Sequence, residues 1–226
     1  MIKAVLFDGY GTLFSGGMDR LYQVCQSISD DHGLGLEGKA FLERWDKHFF
    51  PLIRGDVFTT FRRAHTLSLV EVFGEFGIKQ EPDVYVERIF ELLGDVALYD
   101  DVLPTLEALK DFPHGVVSNA DSGHLHAALA GNHLSFDLVV SSEDAEAYKP
   151  NPAIFDKALS ALGAAPGEVL YVGDSDSQED DLVASHRGGI QMAWINREGE
   201  ALQEAIPGPT YEIDSLLKVL EIVNAD

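Results

Sequence analysis

Val5-Leu6-Phe7-Asp8-Gly9-Tyr10-Gly11-Thr12-Leu13-Phe14 is the stretch on which the reading of the whole chain turns. Its opening apolar run is too short for a helix and stops at an acid that enters a glycine-containing turn. That is the layout of a buried strand carrying a carboxylate to the end of a sheet. Two later runs behave alike: Gly115-Val116-Val117 ends in Ser118 and Asn119, and Val169-Leu170-Tyr171-Val172 ends in Gly173 and Asp174. In a parallel sheet the three polar endings gather along one carboxyl edge, where open α/β sheets bind ligands.

Between these strands, Leu103 to Leu109, Ala153 to Leu162 and Asp181 to Arg187 have helical patterns closed by turn residues such as Gly163 and Gly188-Gly189. Phe136 to Val140 and Ile190 to Ile195 supply two more strands, and Ile213 to Val223 is expected as a closing helix. From Ser15 to Leu93 no strand pattern appears; instead Phe41, Trp45, Phe49 and then Leu67, Val70, Phe73 repeat at helical spacing. The expected architecture is a doubly wound α/β core with a Rossmann-like parallel sheet, residues 1–14 and 94–226, interrupted after its first strand by a helical cap at 15–93. Ser15-Gly16-Gly17 and Gly94 are the expected hinges.

The chain carries 38 acidic against 16 basic residues, a formal charge of −22, which excludes the cationic face that nucleic-acid backbones require. The same field repels small anions, so a phosphate ester needs a local cation at its site, either a metal or an inward lysine or arginine. Hydrophobic residues make up 46% of the chain, enough for a full core, yet no apolar stretch reaches the roughly 20 residues of a membrane span. Met1-Ile2-Lys3 leads straight into the first strand without a signal-peptide layout, so a cytoplasmic protein with no membrane partner is expected. Cys25, the one cysteine, is expected to pack inside a cap helix.

Four pieces in order, Phe7-Asp8-Gly9-Tyr10-Gly11-Thr12, Ser118-Asn119, Lys149-Pro150, and Gly173-Asp174 with Asp180-Asp181, resemble the four motifs of the haloacid dehalogenase-like hydrolases across essentially the whole chain. The resemblance implies that Asp8 is a nucleophile forming a covalent aspartyl intermediate that water then hydrolyses, splitting one hard step into two. It further implies Mg2+ on the Asp8 carboxylate, the Tyr10 main-chain carbonyl and Asp174, with Asp181 or Asp180 in the outer shell. Lys149 would steady Asp8, while Ser118 and the Asn119 amide would bind phosphate oxygens, with Thr12 and Tyr10 also at the substrate. On this reading the substrate is a small phosphate monoester.

Two features of the sequence pull towards other reactions. The family's phosphatases commonly carry a second aspartate two residues after the nucleophile, and here that residue is Tyr10, as in the L-2-haloacid dehalogenases of the same superfamily. Tyr148-Lys149-Pro150 and Asn196-Arg197 also resemble that metal-independent branch. Against it, the branch places its carboxylate-binding arginine just after a tryptophan of the insert, where this chain has Asp46 after Trp45. Asp174, Asp176, Glu179, Asp180 and Asp181 crowded near Asp8 without a cation would raise one another's pKa values, which a divalent metal resolves. A weakly active ligand-binding protein on the same fold is the third reading. In the cap, Trp45, Lys47, His48 and Arg54 are candidate substrate contacts, with Trp45 also fitting the apolar stripe; Arg62, Arg63, His124 and His126 are expected at the surface.

Overall fold

The structure is a computed structural model that describes residues 1–174 and 178–225. In chain order its elements are β1 (Ala4–Phe7), β2 (Phe14–Ser15), α1 (Gly17–Asp31), α2 (Gly38–Ile53), α3 (Phe61–Phe76), α4 (Asp83–Gly94), β3 (Ala97–Leu98), α5 (Val102–Ala108) and β4 (His114–Ser118). There follow α6 (Ser122–Gly131), β5 (Leu138–Ser141), α7 (Ser142–Ala145), α8 (Ala153–Leu162), β6 (Val169–Asp174), α9 (Gln178–Gly188), β7 (Gln191–Ile195), β8 (Tyr211–Ile213) and α10 (Val219–Ala225).

Among the described residues six strands form one parallel sheet in the order β5-β4-β1-β6-β7-β8. The first strand therefore lies inside the sheet, where the strand order reverses and a crevice opens at the carboxyl ends. Phe7 is in register with Val116 on β4 and Val172 on β6, so Asp8 emerges one step short of both Ser118 and Asp174. Residues alternate between two apolar layers: Val5 and Phe7 pack with Val102, Leu125 and Val219, while Ala4 and Leu6 pack with Phe155 and Leu182. Helices thus cover both faces, which is why all four residues of β1 are apolar and buried.

Helices α1 to α4 build a third cluster of their own, with Ile28, Phe41, Trp45, Leu69 and Phe90 at its centre and Cys25 buried within it. The chain crosses between this helical unit and the sheet twice, and the two crossings pair as an antiparallel ribbon, Phe14 with Leu98 and Ser15 with Ala97. Gly16, at a φ of 76°, turns the chain from the ribbon into α1, a left-handed conformation that glycine adopts without strain. No helix among the described residues is long and apolar enough to cross a membrane.

Two expectations need correction. Ile213 ends the edge strand β8, and the terminal helix begins only at Val219. On α3 the buried stripe runs through Ala64, Ser68, Leu69, Val72 and Phe73, whereas Leu67 and Val70 are exposed. Ser68 is tolerated inside because its hydroxyl receives the Trp45 Nε1 proton at 2.6 Å and donates to the Ala64 carbonyl.

Candidate active site

β1, β6 and α9 bring three buried carboxylates together: oxygens of Asp8, Asp174 and Asp181 all lie within 4.8 Å of one another. Lys149 reaches into this group from the loop before α8. Its Nζ donates at 2.6 Å to Asp8 Oδ1 and at 2.8 Å to the Tyr171 hydroxyl, and lies 2.6 Å from Asp181 Oδ1. Tyr171 in turn donates to Asp181 Oδ1 at 2.9 Å. Burial works against the charge on Lys149, but the carboxylates of Asp181 and Asp8 outweigh it and hold the ammonium pKa above that of a free lysine. Burial also dominates at Asp181, raising its pKa against the pull of Lys149, and the charge on Asp8 adds to the rise. Among the described residues Asp181 Oδ2 is buried with no hydrogen-bond partner.

The close approach of these acids needs two glycines. A Cβ on Gly11, whose φ is 90°, would overlap the Asp174 carboxylate, and one on Gly173 would overlap that of Asp181. Asp180, the other candidate for the outer shell, is outside this three-carboxylate group but lines the same cavity as Asp8 and Asp174, with Arg54 3.7 Å away. Asp176 lies outside the described residues, and Glu179 is described only as part of α9.

Ser118 is buried at the end of β4, and its Oγ would be 3.0 Å from a Cβ on Gly9, so it sits directly beside the Asp8 turn. The Asn119 side chain clamps the main chain of Lys149, accepting from its N–H at 2.8 Å and donating to its carbonyl at 3.2 Å. It thereby holds the lysine loop in place. Tyr10 donates its hydroxyl proton to the Leu93 carbonyl at 2.9 Å, and burial together with the Asp8 charge keeps its pKa above that of a free phenol. Thr12 is fully buried and is not among the residues lining the cavity; its carbonyl accepts from Arg197, which forms a two-pronged ion pair with Asp101.

A cavity of about 480 Å3 opens from Asp8, Ser118, Asn119, Lys149 and Asp174 into the helical unit. Trp45, Asp46 and Phe49 of α2, His65 of α3 and Leu92 of α4 line it. Lys47 is exposed and His48 pairs with Glu75 at 2.8 Å, so neither faces this space. His124 corrects an expectation: it is 7% exposed and lines the cavity, while His126 is exposed. Apolar and aromatic neighbours account for this, since the His124 ring lies 4.9 Å from Phe90 and 5.8 Å from Tyr10, and burial pushes its pKa down to about 3.

Sequence reasoning did not single out Tyr171, His65 or Asp121. Tyr171 reads as one more apolar residue of a strand, and no signal in the sequence joins it to Lys149. Asp121 accepts the backbone N–H groups of Phe61 and Arg62 at 2.6 and 2.8 Å, tying the start of α3 to the loop after β4. Tyr148 adds a second tie by donating to the Thr59 carbonyl at 2.8 Å.

A family model described as haloacid dehalogenase-like hydrolase matches residues 2–177, and a second, HAD-hydrolase-like, matches 147–219. The chain belongs to the haloacid dehalogenase-like hydrolases. Within this family it is similar to a glyceraldehyde 3-phosphate phosphatase of Methanopyrus kandleri, 34% identical over 99% of this chain and 97% of the relative. It is also similar to an (S)-2-haloacid dehalogenase of Pseudomonas fluorescens, 23% identical over 96% of this chain and 95% of that enzyme. Its fold matches the L-2-haloacid dehalogenase structure from Xanthobacter autotrophicus with a TM-score of 0.78 at 20% identity, covering 99% of both chains. Haloacid dehalogenase-like chains with either activity are hydrolases, and so is this one.

Proposed function

We propose that this hydrolase is a magnesium-dependent phosphatase that passes the phosphoryl group of a small phosphate monoester to Asp8 and then to water. The observation that carries the reading is the buried group of Asp8, Asp174 and Asp181, whose oxygens lie within 4.8 Å of one another, with Lys149 ion-paired to Asp8 and Asp181. Carboxylates drawn so close inside the protein repel one another, and burial opposes their charged forms strongly. A donor set made only of oxygen suits a hard divalent cation, and the partnerless Asp181 Oδ2 fits the same demand. Asp8, Asp174 and the Tyr10 carbonyl are the residues that would hold Mg2+, with Asp181 behind them. When bound, the ion neutralises the phosphate oxygens against which the nucleophile must advance.

The side chains account for the other requirements. Lys149 fixes the rotamer of Asp8 and leaves its second oxygen for attack in line with the leaving group. Ser118 and the main-chain amide of Asn119 donate to the phosphate oxygens, and the helical unit acts as a cap that excludes water while Asp121 and Tyr148 hold it against the sheet. The phosphatase named among the relatives supports this reading at 34% identity. A second reading, metal-independent dehalogenation of a 2-haloacid, is favoured by Tyr10 and by the apolar walls of the cavity. It places the substrate carboxylate in a cavity whose wall carries both Asp46, a like charge, and Arg20, an opposite one.

Acid quenching followed by peptide mass spectrometry separates the two. Incubation with Mg2+ and acetyl phosphate is expected to leave a phosphoryl group on the peptide that carries Asp8. An ester adduct on that peptide after incubation with 2-chloropropionate, with no phosphoryl adduct from acetyl phosphate, would sink the phosphatase reading.

A further inference from the structure

Resting on the phosphatase reading, we propose that the ester cleaved is an aryl phosphate, a phosphate joined through a phenolic oxygen to an uncharged aromatic ring that the helical unit encloses. The first support is the wall of the cavity. Trp45, Phe49, Phe50, Ile53, Phe61 and Leu92 form an aromatic and aliphatic stretch of it, with Arg20, His65 and His124 as polar members of the same wall. Its volume of about 480 Å3 accepts a substituted ring together with the phosphate. The hydroxyls of a sugar or polyol held against these aromatic and aliphatic side chains would lose water for few hydrogen bonds in return. Rings of the wall already meet edge to face, as Phe49 and Phe61 do at 5.3 Å and 87°, a geometry that a further ring extends. Asp46 on the same wall repels organic groups that carry their own negative charge.

The second support is independent and concerns the leaving oxygen. An alkoxide departs only if a proton reaches it, whereas a phenolate, with a conjugate acid near pKa 10, departs unaided. Of the groups near Asp8 that could donate, Tyr10, Lys149 and His65 are committed elsewhere, and His124, packed against Tyr10 and Phe90, is kept neutral by burial and is no acid at neutral pH. Tyr10, two residues on, gives its proton to the Leu93 carbonyl at 2.9 Å. Lys149 has three N–H groups and three partners in Asp8, Asp181 and Tyr171. His65 lies with Nδ1 2.8 Å from the Phe61 carbonyl, which places its proton there. In the reaction Asp8 forms a bond to phosphorus as the bond to the aryl oxygen breaks, and the phenolate takes a proton from solvent. Water then cleaves the aspartyl phosphate and restores the carboxylate, so that aryl phosphate and water yield a phenol and inorganic phosphate.

The test compares phenyl phosphate, benzyl phosphate and glucose 6-phosphate, as kcat/KM with Mg2+ and as binding to Asp8→Asn by calorimetry. Phenyl phosphate is expected to exceed benzyl phosphate, its apolar match with an alkoxide leaving group, by about 100-fold in kcat/KM. Both aromatic esters are expected to bind Asp8→Asn about tenfold or more tighter than glucose 6-phosphate. Leu92→Asn, which makes the wall polar, is expected to raise KM for phenyl phosphate by a larger factor than KM for glucose 6-phosphate. Turnover of benzyl phosphate equal to that of phenyl phosphate, or glucose 6-phosphate binding as tightly as the aromatic esters, would overturn the aryl assignment alone. Failure to release phosphate from any of the three would overturn the phosphatase reading and this inference with it.

Discussion

Replacing Lys149 by methionine keeps the apolar stem of the side chain and removes the ammonium that lies 2.6 Å from both Asp8 and Asp181. Both carboxylates are almost wholly buried, so neither can turn to water for compensation. Removing one partner of a buried ion pair costs about 3–5 kcal/mol because the remaining charge stays in the interior. In a chain of 226 residues that corresponds to a fall in Tm of roughly 6–20 °C. A divalent cation offsets the same charge, and a ligand at 100 times its Kd returns about 2.7 kcal/mol. The assay is thermal unfolding of wild type and Lys149→Met at pH 7.5, each in EDTA and in Mg2+. The expected result is a large loss in EDTA and a larger Mg2+ shift in the variant than in wild type. A variant within about 1 °C of wild type in EDTA, or one that Mg2+ does not rescue, would refute the charge reasoning on which the metal site rests.

Gly11→Ala places a Cβ against Asp174 at a φ of 90° and is expected to weaken Mg2+ binding at least tenfold in calorimetry, with about 1–3 kcal/mol of strain lowering Tm. His65 is buried, and burial lowers its pKa from 6.5 to about 4. Its folded pKa lies below the unfolded one, so its contribution to stability is complete above pH 6.5 and is lost as pH falls towards 4. His65→Phe is therefore expected to flatten the acid limb of a plot of unfolding free energy against pH, and an unchanged slope would contradict the neutral buried state. Tyr10→Asp supplies the carboxyl that the family's phosphatases commonly carry, and is expected to raise benzyl phosphate hydrolysis by about 100-fold while changing phenyl phosphate less. A fall in both rates would show that the Tyr10 bond to Leu93 serves catalysis directly.

The parts of the fold legible in the sequence are those fixed by short-range pattern. β1, β4 and β6 are continuous apolar runs because helices cover both faces of the sheet, and each run ends at a polar residue that reaches the crevice. The charged members of the site were legible for a related reason: Asp8, Lys149 and Asp174 stand at strand ends or loop starts, where residue type and order survive in a motif. What was hidden depends on contacts far apart in the chain. Tyr171 differs from its strand neighbours only through its bonds to Lys149 and Asp181, and Asp121 caps a helix that begins 60 residues earlier. On α3, Leu67 and Val70 repeat at helical spacing as well as the buried residues do, so only packing against α2 and α4 decides which stripe turns inward. β8 is three residues long and pairs along one edge, too little pattern to separate it from the helix that follows.

The most direct test of the central claim is hydrolysis of phenyl phosphate and of 2-chloropropionate by the same purified protein, each in Mg2+ and in EDTA, with phosphate and chloride both measured. The account predicts phosphate release that requires Mg2+ and disappears in Asp8→Asn, with no chloride released. Chloride release that persists in EDTA, with no phosphate released under either condition, would contradict it.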